Sequence, residues 1–258
     1  MRQSKFIMKK FLFAACALFI AGSLFAQVDT ASTPALVVSE PVKKPKKKYN
    51  LSNRANDHFL LQIGYTNWLD APDSIKTKGL SRSINTYFMF DFPFKTSQQL
   101  SAAAGVGIGS DHVFLDDQFA NVKGRTTTMR FSGGDLSAEN IKKTKVVTTY
   151  AELPVELRYV ANPERSDKSF KFAVGVKVGT MLRGGTRSRI RESTSASDYY
   201  LLKESSKNYF NTTRIAGTAR VGYGHFTLFG SYQFTSLLKT GAGPQLKPFT
   251  IGLSFGGL

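Results

Sequence analysis

The stretch TTYAELPVELRYVANPERSDKSFKFAVGVKVGTML, residues 148–182, decides the fold. Its side chains alternate with a period of two on both sides of a short polar turn, which is typical of β-strands and not of helices. One face carries branched and aromatic side chains, as in Leu153, Val155 and Leu157. The other face carries charged and small residues, including Glu152 and Lys177. A soluble β-sandwich would bury the apolar face, whereas a membrane barrel would turn it to lipid and keep a polar interior.

The same alternation recurs along the chain from residue 59. Several segments could reach about ten residues, which exceeds the usual strand length of globular proteins and suits a tilted crossing of a bilayer. Eight segments begin near Phe59, Ile84, Leu100, Thr148, Phe170, Arg214, Phe226 and Phe249. The sequence therefore predicts an all-β fold, an eight-stranded antiparallel up-and-down transmembrane β-barrel over residues 59–258.

The connections alternate in length. Residues 93–97, 161–169 and 222–225 are short, whereas 67–79, 111–143 and 183–209 are longer, with a shorter 239–245 last. Short turns at one end and long loops at the other are typical of outer-membrane barrels. An even number of strands then predicts that both termini are periplasmic.

Residues 1–26 are predicted to be a signal peptide. Lys9 and Lys10 precede an apolar run over residues 11–20, and Ala26 supplies a small residue before the cleavage point. Met8 is an alternative start. Cys16 is the only cysteine, so cleavage leaves a chain without disulfides; acylation of Cys16 in a lipoprotein is the alternative.

Residues 27–58 show neither strand nor helix periodicity and are predicted to be a disordered periplasmic tether. The tether contains a basic arm. The arm comprises Lys43, Lys44, Lys46, Lys47 and Lys48. It could contact phosphate head groups or an acidic partner, or it could be a solvated linker.

The formal net charge is +17, and removal of the four bases in residues 1–26 lowers it to +13. Such a charge fits nucleic acid or anionic lipid. Export excludes most nucleic-acid roles. We therefore expect outer-membrane lipid and lipopolysaccharide as partners, and no nucleic acid.

The polar strand faces predict a charged barrel interior. The predicted lumen charges are Asp91, Glu152, Glu156, Arg158, Lys171, Lys177, Arg214 and Arg220. Buried charges persist only when they are paired, so Glu152 and Glu156 should contact bases such as Lys171 or Lys177. The network could be a structural plug or a proton or ion path. Pro154 removes one ladder donor, which predicts a local bulge.

Catalytic chemistry has little support in the sequence. No pair of the histidines His58, His112 and His225 has metal-ligand spacing, and no cofactor motif is present. The letters Ser110-Asp111-His112 are those of a catalytic triad, but adjacent residues are not expected to reach one another in triad geometry. We predict no catalytic residue, no metal and no cofactor.

A basic cluster follows the fifth predicted strand. It comprises Arg183, Arg187, Arg189 and Arg191, which are predicted to lie in an outer loop. The cluster could bind lipid A phosphates, another anion or surface sugars, or it could be a solvated loop.

The stretch YAELPVELRY, residues 150–159, together with a leader ending in Phe-Ala-Gln and eight alternating strands, resembles the PorT-like outer-membrane β-barrel family of Bacteroidota. The resemblance implies an outer-membrane barrel and points to the type IX secretion system, with which PorT itself is associated. It supplies no catalytic residue.

Four functions remain open. The first is a structural or adaptor subunit of an envelope complex, with protein partners and a filled lumen. A small passive channel is the second, and a membrane enzyme acting on lipid A or phospholipid is the third. The fourth is a soluble periplasmic barrel, which would bury the face of Phe88, Phe90 and Phe92.

Overall fold

A computed structural model describes residues 58–79, 81–133, 141–191 and 199–256. The predicted signal peptide, and the predicted tether up to residue 57, lie outside the described residues and stay predictions. The described residues contain eleven strands and one short 3₁₀ helix, Pro163–Lys168. The strands are β1 (Phe59–Leu69), β2 (Arg82–Pro93), β3 (Leu100–Leu115), β4 (Gln118–Asn121), β5 (Arg130–Gly133), β6 (Ile141–Val160), β7 (Phe170–Arg191), β8 (Tyr199–Ser205), β9 (Thr213–Tyr223), β10 (Phe226–Gln233) and β11 (Lys247–Gly256).

Eight of these strands form a closed antiparallel barrel. Their order is β6-β3-β2-β1-β11-β10-β9-β7, and β6 pairs with β7 to close the sheet. Barrel strands that are consecutive along the chain pair with each other, and β1 pairs with β11, so the topology is up-and-down. The predicted fold class is confirmed. Closure leaves no open sheet edge among these eight strands, as lipid surroundings require.

The inside and outside faces follow the alternation of the sequence. Phe88, Phe90 and Phe92 point away from the barrel axis and are 45%, 48% and 59% exposed, whereas Glu152 and Lys177 are buried inside. This arrangement excludes the soluble barrel, which would bury the three phenylalanines. No helix within the described ranges has both the length and the apolar character needed to cross a membrane.

The two ends of the barrel differ, and we name them by their connections. The turn end has short connections, residues 94–99, 161–169 and 224–225. The described parts of the connections at the long-loop end are residues 70–79 and 81, 116–133, 199–212 and 234–246. Aromatic pairs mark the outer surface of the turn end. The ring centroids of Phe170 and Tyr223 are 5.3 Å apart, and those of Phe226 and Phe255 are 5.4 Å apart. Such girdles are typical of membrane barrels.

Strands extend further at the long-loop end than the sequence predicts. The predicted loop 111–143 contains the end of β3 and the start of β6, and the predicted loop 183–209 contains the end of β7 and all of β8. β8 pairs with residues 185–191 of β7, beyond the residues that pair with β9. In these strand extensions the alternation of apolar side chains stops, but the backbone pairing continues. Because the strands were predicted from the alternation, the loops were predicted too long.

The bulge predicted at Pro154 is wrong. Pro154 pairs with Lys177 in unbroken register, and the β3–β6 register is the same before and after Pro154. The proline only interrupts pairing locally on the β3 side. A register shift instead lies between Thr149, which pairs with Arg183, and Tyr150, which pairs with Met181. Leu182 is therefore the extra residue.

Candidate functional site

The lumen contains a first charge cluster around Glu152, on the inner face of β6. Its carboxylate lies 3.2 Å from Lys177 Nζ and 3.0 Å from Arg214 Nη1, and it accepts a hydrogen bond from Tyr87 OH. Arg214 Nη1 also lies 2.9 Å from Asp111 Oδ2. Four neighbouring strands thus supply the charges of this cluster, all buried.

A second charge cluster surrounds Glu156, nearer the turn end. Glu156 Oε2 accepts hydrogen bonds from Arg158 Nε at 3.1 Å and from Arg220 Nη2 at 2.6 Å. Arg158 Nη1 lies 3.7 Å from Asp91 Oδ1, and Lys171 is buried inside the same barrel. The structure therefore brings all eight predicted lumen charges into the interior. The pairing with Lys177 matches the expectation for Glu152, whereas Glu156 uses two arginines.

Asp111 is the lumen residue that sequence reasoning missed. It was assigned to the start of a loop, but it is 4% exposed and contacts Arg214 inside the barrel. The inward face of β3 carries Ala103, Gly105, Gly107 and Gly109, and the next inward position is Asp111. Extending the alternation of β3 by two residues beyond Gly109 would have placed the Asp111 carboxylate in the lumen.

The inward glycines of β3 make room for this network. A Cβ on Gly107 would lie 2.8 Å from Tyr87 Cα and would also overlap the Tyr87 ring. At Gly109 it would lie 2.9 Å from Glu152 Oε2. The absence of side chains on β3 therefore leaves room for the Tyr87 ring of β2 and the Glu152 carboxylate of β6.

An apolar cap fills the long-loop end of the lumen, above the first charge cluster. Loop residues Phe210, Leu238 and Leu246 are fully or almost fully buried against inward strand residues such as Val146 and Met181. The cap was not predicted, because its loop residues follow no period of two.

Hydrogen bonds and ring contacts join the cap to its surroundings. Tyr209 OH lies 2.6 Å from the carbonyl oxygen of Gly124 and 2.8 Å from that of Thr126. Below it, the Arg214 guanidinium lies 5.0 Å from the centre of the Tyr150 ring. The lumen is therefore filled by two layers in series, a charged layer and an apolar cap.

The four predicted anion-binding arginines lie on β7, not in a loop. Arg183, Arg189 and Arg191 are exposed, and Arg187 is half-buried. Arg189 and Arg191 lie 5.5 Å and 5.8 Å from the ring centre of Tyr199 on β8. Cation–π contacts thus hold two of the four, and the structure separates the cluster along the strand.

Ser110 and His112 share the outer face of β3. Ser110 Oγ lies 3.3 Å from His112 Nε2 and 3.1 Å from Thr149 Oγ1 of β6. Residues two apart on a strand point the same way, which is why these two side chains meet. Asp111 points inward to Arg214, so the three residues do not reach one another in triad geometry.

In the described part of the chain, neither metal ligands nor charged loop residues extend the two charge clusters of the lumen. Within the described ranges, no group of three or more His, Cys, Asp or Glu could hold a metal ion. Lys78, in the loop after β1, lies 2.9 Å from Asp116 Oδ1, and this hydrogen bond raises the pKa of Lys78. The predicted basic arm, Lys43 to Lys48, lies outside the described residues.

The closed wall, the apolar exterior and the filled polar lumen together define a transmembrane β-barrel. The family model described as outer membrane protein beta-barrel domain matches residues 25–240, and the chain belongs to this family. It is an outer-membrane β-barrel protein. Comparisons with curated proteins and with solved structures give no match.

Proposed function

We propose that the protein is a structural or adaptor subunit of an envelope complex, and not a solute channel. The observation that carries this proposal is the filled lumen. Glu152 and Glu156 each contact two buried cations, and the Phe210 cap lies above them. An eight-stranded barrel has an interior just wide enough for its own side chains, so a filled lumen leaves the surface as the functional part.

The long-loop end offers a surface for a protein partner. β6 and β7 continue past the exposed apolar residues, β8 adds a further strand, and β4 pairs with β5 in a separate hairpin. The far edge of β8 has no strand partner among the described residues, which is a feature that partner strands can use. The resemblance around Pro154 to PorT-like barrels motivates a link to protein secretion of the type IX kind.

A cross-linking experiment tests the adaptor proposal. The full-length protein, tagged at its C-terminus, would be cross-linked in cells and purified alongside a variant lacking residues 43–48 and a variant with Leu201→Pro on β8. We expect at least one envelope protein to be captured in near-equal amount with the wild type. Loss with the first variant would place the contact on the arm, and loss with the second would place it on β8. Recovery of the barrel alone would contradict the proposal.

One observation favours a second function, a membrane enzyme acting on lipid. Ser110 Oγ and His112 Nε2 are within 3.3 Å on the outer wall, where a nucleophile and a base could reach an acyl ester. Ser110→Ala should then change the lipid profile of the cell, while Thr180→Ala, another exposed hydroxyl on the outer wall, should not. An unchanged profile in Ser110→Ala would leave the enzyme without support.

A further inference from the structure

Cations on adjacent strands form a row on the outer wall at the long-loop end. Lys145 of β6 is directly opposite Arg187 of β7, and Arg187 is directly opposite Lys203 of β8. On the other side, Lys145 is opposite Phe114 of β3. We call Phe114, Lys145, Arg187 and Lys203 the cationic row.

Arg82 of β2 extends the cationic row at its β3 end. The Arg82 guanidinium lies 5.8 Å from the centre of the Phe114 ring, and Lys145 Nζ lies 5.4 Å from it. Arg82 and Phe114 also line a cavity of about 210 Å³, together with Lys143. One aromatic ring thus contacts two cations from different strands.

Among the described residues, no acid pairs with the cations of the cationic row. Like charges directly opposite one another on neighbouring strands destabilise a sheet. Among the described residues, no carboxylate forms a salt bridge with Lys145, Arg187 or Lys203, whereas Lys78 in the nearby loop has both Asp116 and Asp117. A bound anion would therefore relieve repulsion that the fold itself leaves in place.

The position of the cationic row identifies the kind of anion. Along the outer face of β3, the side chains run from Val106 and Ile108 through Ser110 to Phe114. On the neighbouring β6 the outward face likewise passes from Leu153 through Thr149, whose hydroxyl contacts Ser110 at 3.1 Å, to Lys145. The order is apolar, then hydroxyl, then cationic. A membrane lipid with acyl chains, a hydroxyl-bearing head and a phosphate has the same order.

We propose that the cationic row binds the phosphates of a phosphorylated glycolipid of the lipid A type. The row spans three strand spacings from β3 to β8, roughly 14 Å, so more than one phosphate can bind at once. Arg187 and Arg82 provide forked donors for phosphate oxygens, and Lys145 and Lys203 act as point charges. Ser110 and Thr149 lie where sugar hydroxyls would reach. Since lipid A lies in the outer leaflet, the proposal assigns the long-loop end to that leaflet.

Native mass spectrometry of the full-length barrel in detergent tests this site. The probes are bis-phosphorylated lipid A, its enzymatically dephosphorylated form and phosphatidylglycerol. The variant is Lys145→Gln with Arg187→Gln. The matched control is Lys123→Gln with Arg125→Gln, which removes the same charge from exposed residues of the β4–β5 connection. We expect about tenfold weaker binding of bis-phosphorylated lipid A in the row variant, the loss of one to two charge-assisted hydrogen bonds, and little change in the control.

Three results would overturn the proposal. The first is equal binding by the row variant and the control variant. The second is equal binding of dephosphorylated lipid A, since the site is built for phosphate. The third is phosphatidylglycerol binding as tightly as lipid A, which would reassign the row to phospholipid. If the double variant fails to form a heat-modifiable barrel, Lys203→Gln replaces it, because β8 lies outside the closed barrel.

Discussion

Glu152 joins several strands of the barrel through its buried carboxylate. It contacts Lys177, Arg214 and the hydroxyl of Tyr87, and it is 2% exposed. Lys177 Nζ in turn lies 3.2 Å from Tyr87 OH, so the three strands β2, β6 and β7 meet at this one carboxylate. Its negative charge therefore balances two buried cations.

Replacing Glu152 with Gln should destabilise the barrel strongly. The substitution keeps the shape but leaves Lys177 and Arg214 facing a single remaining acid, Asp111. Breaking a buried ion pair from one side costs about 3 to 5 kcal/mol. The free energy of unfolding in urea, measured in lipid vesicles, checks this. Asp116→Asn is the control, since its exposed pair with Lys78 should contribute less than about 1 kcal/mol. Equal losses in both variants would contradict the assignment.

Gly107→Ala should also destabilise the barrel, by overpacking the lumen. Its Cβ would press on the backbone and ring of Tyr87, and such overpacking costs about 1 to 3 kcal/mol. Gly230→Ala is the matched control, because its Cβ meets nothing within 4 Å. Both variants would be compared by the temperature at which the folded band is lost on unboiled gels. A midpoint for Gly107→Ala as high as that for Gly230→Ala would show that β3 can move away from β2.

At this scale the sequence predicts much of the site. The inward face of each strand follows from the period of two, and so do the buried positions of Glu156, Arg158 and Lys171. The period of two does not predict which acid pairs with which base, because that depends on the stagger between strands. Glu156 is opposite Ala103 on β3, yet its carboxylate reaches Arg220 on β9 across the lumen.

β7 is the longest strand, and it changes both its pairing partner and its register along its length. It runs from Phe170 to Arg191, pairs first with β9 and then with β8, and carries one extra residue, Leu182. The extra residue changes the inward set from odd-numbered to even-numbered positions, so Met181 and Gly184 are both buried. Alternation alone cannot locate such a shift, because Leu182 fits the apolar outer face as well as its neighbours do.

Deleting Leu182 should leave a closed barrel, because every recorded β6–β7 pair survives without it. Deleting Val174 should not. If the bulge at Leu182 closed to compensate for the deletion, the residues between positions 174 and 182 would exchange faces and Lys177 would point to lipid. If the residues before position 174 shifted instead, Lys171 would point to lipid. A lysine on the lipid face costs about 2 to 4 kcal/mol at mid-membrane depth. Heat-modifiability of the outer-membrane fraction distinguishes the two deletions. A folded barrel after loss of Val174 would mean that the register of β7 is loosely specified.

For the whole molecule, the sequence predicts the closed barrel but not the way its lumen ends. The number of strands, their inward and outward faces and the unequal lengths of the connections could all be predicted. Lipid outside and packing inside impose an alternation of apolar and polar side chains along each strand. The cap could not be predicted. Leu237, Leu238 and Leu246 lie in connections without periodicity, and their burial depends on loops that meet only after the barrel has closed.

The two lumen layers predict how the protein behaves in a bilayer. Phe210 is fully buried in the cap, so Phe210→Ala should open space there, but the charged layer around Glu152 and Glu156 lies between that space and the turn end. We therefore expect neither the wild type nor Phe210→Ala to give steady single-channel currents in planar bilayers, with a porin as the positive control. Reproducible currents from the wild type would favour the passive channel over the adaptor. Currents from Phe210→Ala alone would mean that the cap is the only seal, and that the ion pairs leave a continuous path beside them.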